Sequence, residues 1–353
     1  MDRYIGLDVH ASSTSIAVVG PSGKRLGSRV VETNGQALLE WFKSQNGRLH
    51  VCLEEAVQSE WLYEILSPHV AEVVVASVGA SAVRGPKDDA RDAFALAEQL
   101  RTGAIAKVVY KPTAGFGPLR QLCRAHRVIV SDSVRAQNRI KALYRSRGVA
   151  VAGKQVYSLS RRQEWTAKLP SSSRPALALL YAEYDALAAL TRQAQKELLA
   201  ESQRHAVAAL LETCPGLGPI RVAYLLATVV TPHRFRTRQT FWSYCGLGIL
   251  MRSSSDWQQA EDGRWVRANL MKTRGLSRQF NRTLKCVFKG AATSVVALYD
   301  TAEPLHRDYQ RLLTAGTKPN LAKLTIARKI AATVLAMWKN KEPYDAQRAS
   351  KLS

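Results

Sequence analysis

Residues 4–31 read YIGLDVHASSTSIAVVGPSGKRLGSRVV. Two short β-prone runs, Tyr4–Leu7 and Ser15–Val19, precede the turn signal Pro21-Ser22-Gly23 and a third such run, Arg25–Val31. Strands this close in sequence predict an antiparallel meander, because antiparallel neighbours can be joined by tight turns. Asp8 lies between Leu7 and Val9, where an aspartate fits a plain strand poorly.

Beyond the meander, Gly35–Ser44 reads as a helix with apolar Leu38, Leu39, Trp41 and Phe42. His50–Leu53 reads as a buried strand that runs into Glu54 and Glu55, Ser59–Leu66 as a helix and Glu72–Ala76 as a strand. At 84–93 the chain reads RGPKDDARDA, a Gly-Pro break followed by the helical stretch FALAEQL. The order βββαβαβα predicts a mixed sheet with helices packed on it, as in a ribonuclease-H-like fold. Pro112–Pro118 reads as a linker, and Leu119 to about Arg147 as a basic helix. Residues 148–174 read as irregular, and Ala176–Leu211 as one long helix with Leu177, Leu180, Tyr184 and Leu187 at 3/4 spacing. The two helices predict an antiparallel arm. The fold class is therefore α/β plus α, in three parts: 1–111, 112–211 and a mainly helical 212–350.

Charge is unevenly distributed. Residues 1–110 hold 11 Lys/Arg and 13 Asp/Glu, net −2, whereas 111–353 hold 40 and 15, net +25. The first part can hold a cation, and the second carries the electrostatic footprint of a polyphosphate binder. The basic residues are spread out rather than packed beside an apolar anchor, which disfavours a membrane surface. No apolar stretch approaches the ~18 residues of a spanning helix. The five cysteines show no paired ligand spacing, which argues against structural zinc and fits a reducing cytoplasm. The histidines show no ligand spacing and carry no expected role.

Four carboxylates stand out. Asp8 is strand-borne, Glu55 closes a strand, and Asp89 and Asp92 lie three apart at a helix start, so they share a face. Hard carboxylate oxygens suit Mg²⁺, and one or two such ions assist phosphodiester cleavage. The plainer reading makes Asp89 and Asp92 charges that complement the helix dipole. Glu54 and Asp88 compete for the assignment.

Three further segments suit a nucleic-acid ligand. Arg120, Arg124 and Arg127 recur at i, i+4, i+7, and Arg139 extends the basic helix. Gly216 and Gly218, in PGLGPIRVAYLLA (215–227), resemble a helix-hairpin-helix turn whose N–H groups hold a phosphate. Arg252, Arg264, Arg267, Lys272, Arg274 and Arg278 are interleaved with Trp265 and Phe280, which suits stacking beside a phosphate track. The serine run Ser253-Ser254-Ser255 reads by itself as a loop.

Taken in order, these residues resemble the DEDD-type, serine-dependent transposases of bacterial insertion sequences, the Piv-like recombinases guided by a bridge RNA. The resemblance rests on Ile5–His10, on Glu55-Ala56 with Trp61 six residues after the glutamate, and on Lys87 to Ala93. It continues through Pro215–Pro219 and Tyr244–Gly248 to Ser254, eight residues after Gly246. Ser255 and Ile249 stand where many members have Gly and Pro. The resemblance implies Mg²⁺ on Asp8, Glu55, Asp89 and Asp92, and Ser254 as a nucleophile that forms a transient phosphoserine link to DNA. It also implies a homo-oligomer, dimer or tetramer, assembled with donor and target DNA on a non-coding bridge RNA. A resolvase-like nuclease using water, or a non-catalytic nucleic-acid-binding protein, are the alternatives.

Overall fold

A computed structural model describes residues 1–77, 88–105, 108, 115–253, 257–267, 271–276 and 279–351. The chain divides into two compact units, Met1–Thr113 and Ala114–Ser353.

The first unit is built on a five-stranded mixed sheet of order β3-β2-β1-β4-β5. Its strands are β1 (Asp2–Val9), β2 (Ser13–Val19), β3 (Arg25–Glu32), β4 (Arg48–Glu54) and β5 (Glu72–Ala76). β1, β2 and β3 form the predicted antiparallel meander, and β4 and β5 add in parallel to β1. Helices α1 (Gly35–Lys43) and α2 (Ser59–Leu66) supply the crossovers, and α3 (Asp89–Thr102) follows β5. The architecture is the one read from the sequence.

Strand alternation assigns the two faces. Ile5, Leu7, Val51 and Leu53 pack with Leu38 and Phe42 of α1 and Leu62 and Leu66 of α2, all buried. On the opposite face Cys52 and Ala76 pack with Leu96 of α3. Gly6 belongs to that second face. A Cβ there would stand 1.9 Å from the Ala93 carbonyl oxygen and 2.7 Å from the Ala97 nitrogen, so only glycine lets α3 lie on β1.

The second unit is mainly helical. Its α4 (Gly117–Arg145) and α6 (Arg174–Gln203) pack along each other, with the short α5 (Arg162–Ala167) near one end. Ile140 and Tyr144 share a core with Leu177 and Tyr181, while Leu119 and Cys123 share another with Leu198, so the pair is antiparallel. The Tyr144 and Tyr181 hydroxyls lie 3.1 Å apart in that core, and Tyr181 donates to the Val156 carbonyl at 2.8 Å.

One long helix over 176–211 was expected; the chain instead breaks at Arg204-His205 and resumes as α7 (Ala206–Glu212). His205 is extended (φ −100°, ψ 110°) and serves as the N-cap of the new helix. The apolar period weakens just before this point, at Ala194 and Leu198.

α8 (Pro219–Val229), α9 (Arg238–Tyr244), α10 (Arg282–Leu298), α11 (Pro304–Thr314), α12 (Pro319–Asn340) and α13 (Ala346–Lys351) complete the helices. Leu225, Phe241, Phe288, Ile326, Ile330 and Val334 form their common core. Between α9 and α10 the chain forms strands rather than helix: β6 (Ile249–Ser253) with β9 (Met271–Leu276), and β7 (Trp257–Gln259) with β8 (Trp265–Arg267).

Candidate metal centre and nucleic-acid surface

Gly6 and Asp8 are two residues apart on β1 and so face α3 together. The helix runs back along the strand, so that Ala93 and Ala97 cover Gly6 while Asp89, one turn before Ala93, reaches Asp8. The bridge between them is His10. Its Nε2 lies 3.3 Å from Asp8 Oδ2 and 3.4 Å from Asp89 Oδ2. The His10 amide donates to the Ser13 carbonyl at 2.9 Å, closing the β1–β2 turn and fixing where the ring starts. Ligand atoms of Asp8, His10 and Asp89 all lie within 4.8 Å of one another.

Burial raises the Asp8 carboxyl above the ordinary carboxylate range; His10 opposes this, and the negative charges of Asp89 and Asp92 add to it. Negative charges converging beside the part-buried Asp8 carboxylate are what a cation relieves. The donor set of hard oxygens with one imidazole therefore fits a divalent metal.

Each expected carboxylate has a definite place. Asp92 sits in the first turn of α3 with Asp89. Asp88 is the N-cap: its side chain accepts from the Ala90 amide at 3.1 Å, so its role is local. Glu55 lies one residue past β4, its amide donating to the Ala76 carbonyl at 3.0 Å. Leu7 pairs with Leu53, so the carboxyl ends of β1 and β4 are level and bring Asp8 and the Glu54-Glu55 pair to the same end of the sheet. Alternation puts Glu54, not Glu55, on the α3 side. Neither glutamate belongs to the converging group found among the described residues. His10 does, and no role was expected of it. The available signal was its spacing from Asp8, since i and i+2 point the same way in extended chain.

In the second unit, Arg120 is partly buried and its Nε donates to the Ala227 carbonyl at 3.3 Å. Arg124 is exposed. Arg127 is exposed at the mouth of a cavity of about 540 Å³ between α4, α8 and α10, and donates to Thr283 Oγ1 at 3.2 Å. Arg139 is paired with Glu183 across the arm.

Gly216 has φ +79°, and a Cβ there would stand 2.4 Å from the Ala291 carbonyl oxygen, which makes it a packing glycine. Gly218 is the N-cap of α8 and has open space before it. Residues 213–218 join α7 to α8. Arg221 ties this connection to α10 by donating to the Gly216 carbonyl at 2.7 Å and Ser294 Oγ at 3.0 Å.

Arg252 and Lys272 are opposite each other on β6 and β9, Arg274 lies on β9, and Arg267 is opposite Trp257 on the β7–β8 pair. Arg264 is exposed near Asp262, and Trp257 and Trp265 are 60% and 64% exposed, which leaves both rings accessible. Phe280 is half-buried and packs under Gly246, where a Cβ would stand 2.5 Å from its ring, and Lys285 lies 4.0 Å from its centroid. Ser254 and Arg278 lie outside the described residues.

A strand-borne aspartate meeting a helix-borne one at the end of a mixed sheet, with a strongly basic helical unit in the same chain, is an arrangement that suits metal-dependent chemistry on nucleic acid. Comparison with known families makes the class specific. Residues 5–146 match the transposase family DEDD_Tnp_IS110, and residues 208–309 match the transposase IS116/IS110/IS902 family. The chain carries IS110-family transposase domains and is an enzyme that cleaves and rejoins DNA. The DEDD domain points to a divalent metal. No curated protein matches the chain. Among the described residues no helix is long and apolar enough to cross a membrane.

Proposed function

We propose that this transposase is RNA-guided and exchanges DNA strands through a serine–DNA intermediate. The observation that carries the metal half of the reading is the Asp8–Asp89 convergence at the carboxyl end of β1. Asp8, Glu55, Asp89 and Asp92 hold Mg²⁺ near the scissile phosphate. An ion held by these residues would supply charge compensation at the reacting phosphate. Asp8 and Asp89 fix its place because both stand on rigid elements held together at Gly6.

Ser254 supplies the nucleophile. Its hydroxyl proton leaves as Oγ bonds to phosphorus, the bond from phosphorus to one strand oxygen breaks, and that oxygen departs as a hydroxyl. A hydroxyl from another strand reverses the step and frees the serine. Bond number is conserved, so rejoining needs no ATP. Arg252, two residues before Ser254 and opposite Lys272, adds positive charge beside the serine run.

The basic surface of the second unit holds polyphosphate. A non-coding bridge RNA pairs with donor and target DNA, and a homo-oligomer, dimer or tetramer, assembles on it. The net charge of +25 after residue 110 supports the polyphosphate-binding part of this reading. The test is to sequence RNA that co-purifies with the protein and compare it with DNA flanking the gene. A single species matching that flank, and pairing with both DNA partners, is expected. Random cellular RNA would refute the guide.

A further inference from the structure

We infer that His10 is a nitrogen ligand in the metal centre, and that it shifts the centre's preference from Mg²⁺ toward Mn²⁺. The inference deepens the proposed metal reading and rests on it. Three observations carry it. First, His10 Nε2 is the atom that faces both carboxylates, at 3.3 Å from Asp8 and 3.4 Å from Asp89. Ligands on adjacent corners of an octahedral ion with bonds of about 2.1 Å stand roughly 3 Å apart, so this triangle needs little closure to bind one.

Second, the ring's position follows from the backbone. His10 directly follows β1, its amide is tied to Ser13, and alternation directs its side chain to the face shared by Gly6 and Asp8. Third, among the described residues the converging donors are Asp8, His10 and Asp89 rather than carboxylates alone. Imidazole is a borderline donor. It adds affinity for the divalent first-row transition ions, of which Mn²⁺ is the nearest to Mg²⁺ in size and geometry, whereas Mg²⁺ prefers oxygen throughout.

The test uses the full-length protein and Mn²⁺ alone as probe. Pulsed electron paramagnetic resonance of bound Mn²⁺ should show nitrogen coupling from one imidazole in the wild type. His10→Ala and His10→Gln should lose it while keeping wild-type circular dichroism. The affinity for Mn²⁺ relative to Mg²⁺ should fall by roughly tenfold or more in both variants. His10→Asp should regain cation binding without the nitrogen signal and with Mg²⁺ favoured. If Mn²⁺ binds in a manner abolished by Asp8→Ala but shows no nitrogen coupling, or coupling that survives in His10→Ala, the inference fails and the carboxylate site stands. If no Asp8-dependent Mn²⁺ binding is seen, the metal reading falls and the inference with it.

Discussion

Gly6 and Ala93 touch backbone to backbone: a Cβ on Gly6 would stand 1.9 Å from the Ala93 carbonyl oxygen. That contact decides how far α3 advances along β1, and therefore whether Asp89 reaches Asp8. Structure and chemistry are coupled through one missing methyl group.

Gly6→Ala should therefore act twice. The helix must lift from the strand, which costs about 1–3 kcal/mol by the overpacking rule. Divalent-ion binding should weaken as well, although the substituted position holds no ligand. Thermal unfolding and Mn²⁺ titration read the two effects. An unchanged melting temperature would show that α3 does not sit where the close approach places it.

The glutamate is tested by comparing Glu54→Gln with Glu55→Gln. The proposed assignment expects Glu55→Gln to abolish strand cleavage and Glu54→Gln to leave most of it, with DNA binding intact in both. The reverse order would make Glu54, which strand alternation places on the α3 side with Asp8, the ligand instead of Glu55.

Much of the first unit was legible because its strands are short, apolar and separated by recognisable turns. Asp8 announced itself as a misfit between Leu7 and Val9, and Asp89 and Asp92 by their helical spacing. His10 did not, because its i, i+2 spacing from Asp8 is common in any extended segment, and its second partner, Asp89, comes from α3, which lies about 80 residues on. The strands at 249–276 were hidden by serine and basic residues that satisfy no simple period. The break at His205 was hidden because the residues on both sides favour helix and no Gly or Pro marks the turn.

Arm stability should depend on acid. Arg162 donates to both oxygens of Asp185, each at 2.6 Å, and joins α5 to α6. The Arg162 hydrogen bond holds the Asp185 carboxyl below its ordinary range. A carboxyl depressed on folding adds stability above its unfolded pKa and loses it as pH falls through the folded value. Asp185→Asn should cost about 1 kcal/mol or less near neutrality, since Asp185 is partly exposed and screened. Wild type and variant should converge in urea titrations below the ordinary carboxylate range. A constant gap across that range would contradict the pairing.

Salt separates phosphate contacts from arm contacts. Affinity for RNA or DNA should fall steeply with salt, by about 0.9 in logarithmic slope per duplex phosphate neutralised. Replacing Lys272, Arg274 and Arg278 should flatten the slope without changing site choice. Arg139→Ala should instead loosen the arm, because Glu183 already engages that guanidinium, and leave the slope nearly unchanged. A flat slope in the wild type would rule out a phosphate-dominated interface.

Strand cleavage by the purified protein, with its co-purifying RNA and end-labelled DNA on a denaturing gel, tests the central claim most directly. Wild type with Mg²⁺ should cut and leave a covalent protein–DNA adduct. Asp8→Asn should bind the same DNA and neither cut nor form the adduct, and Ser254→Ala should do likewise while Ser253→Ala and Ser255→Ala retain activity. Cleavage by Asp8→Asn, or by wild type in excess EDTA, would contradict a metal-centred mechanism at Asp8.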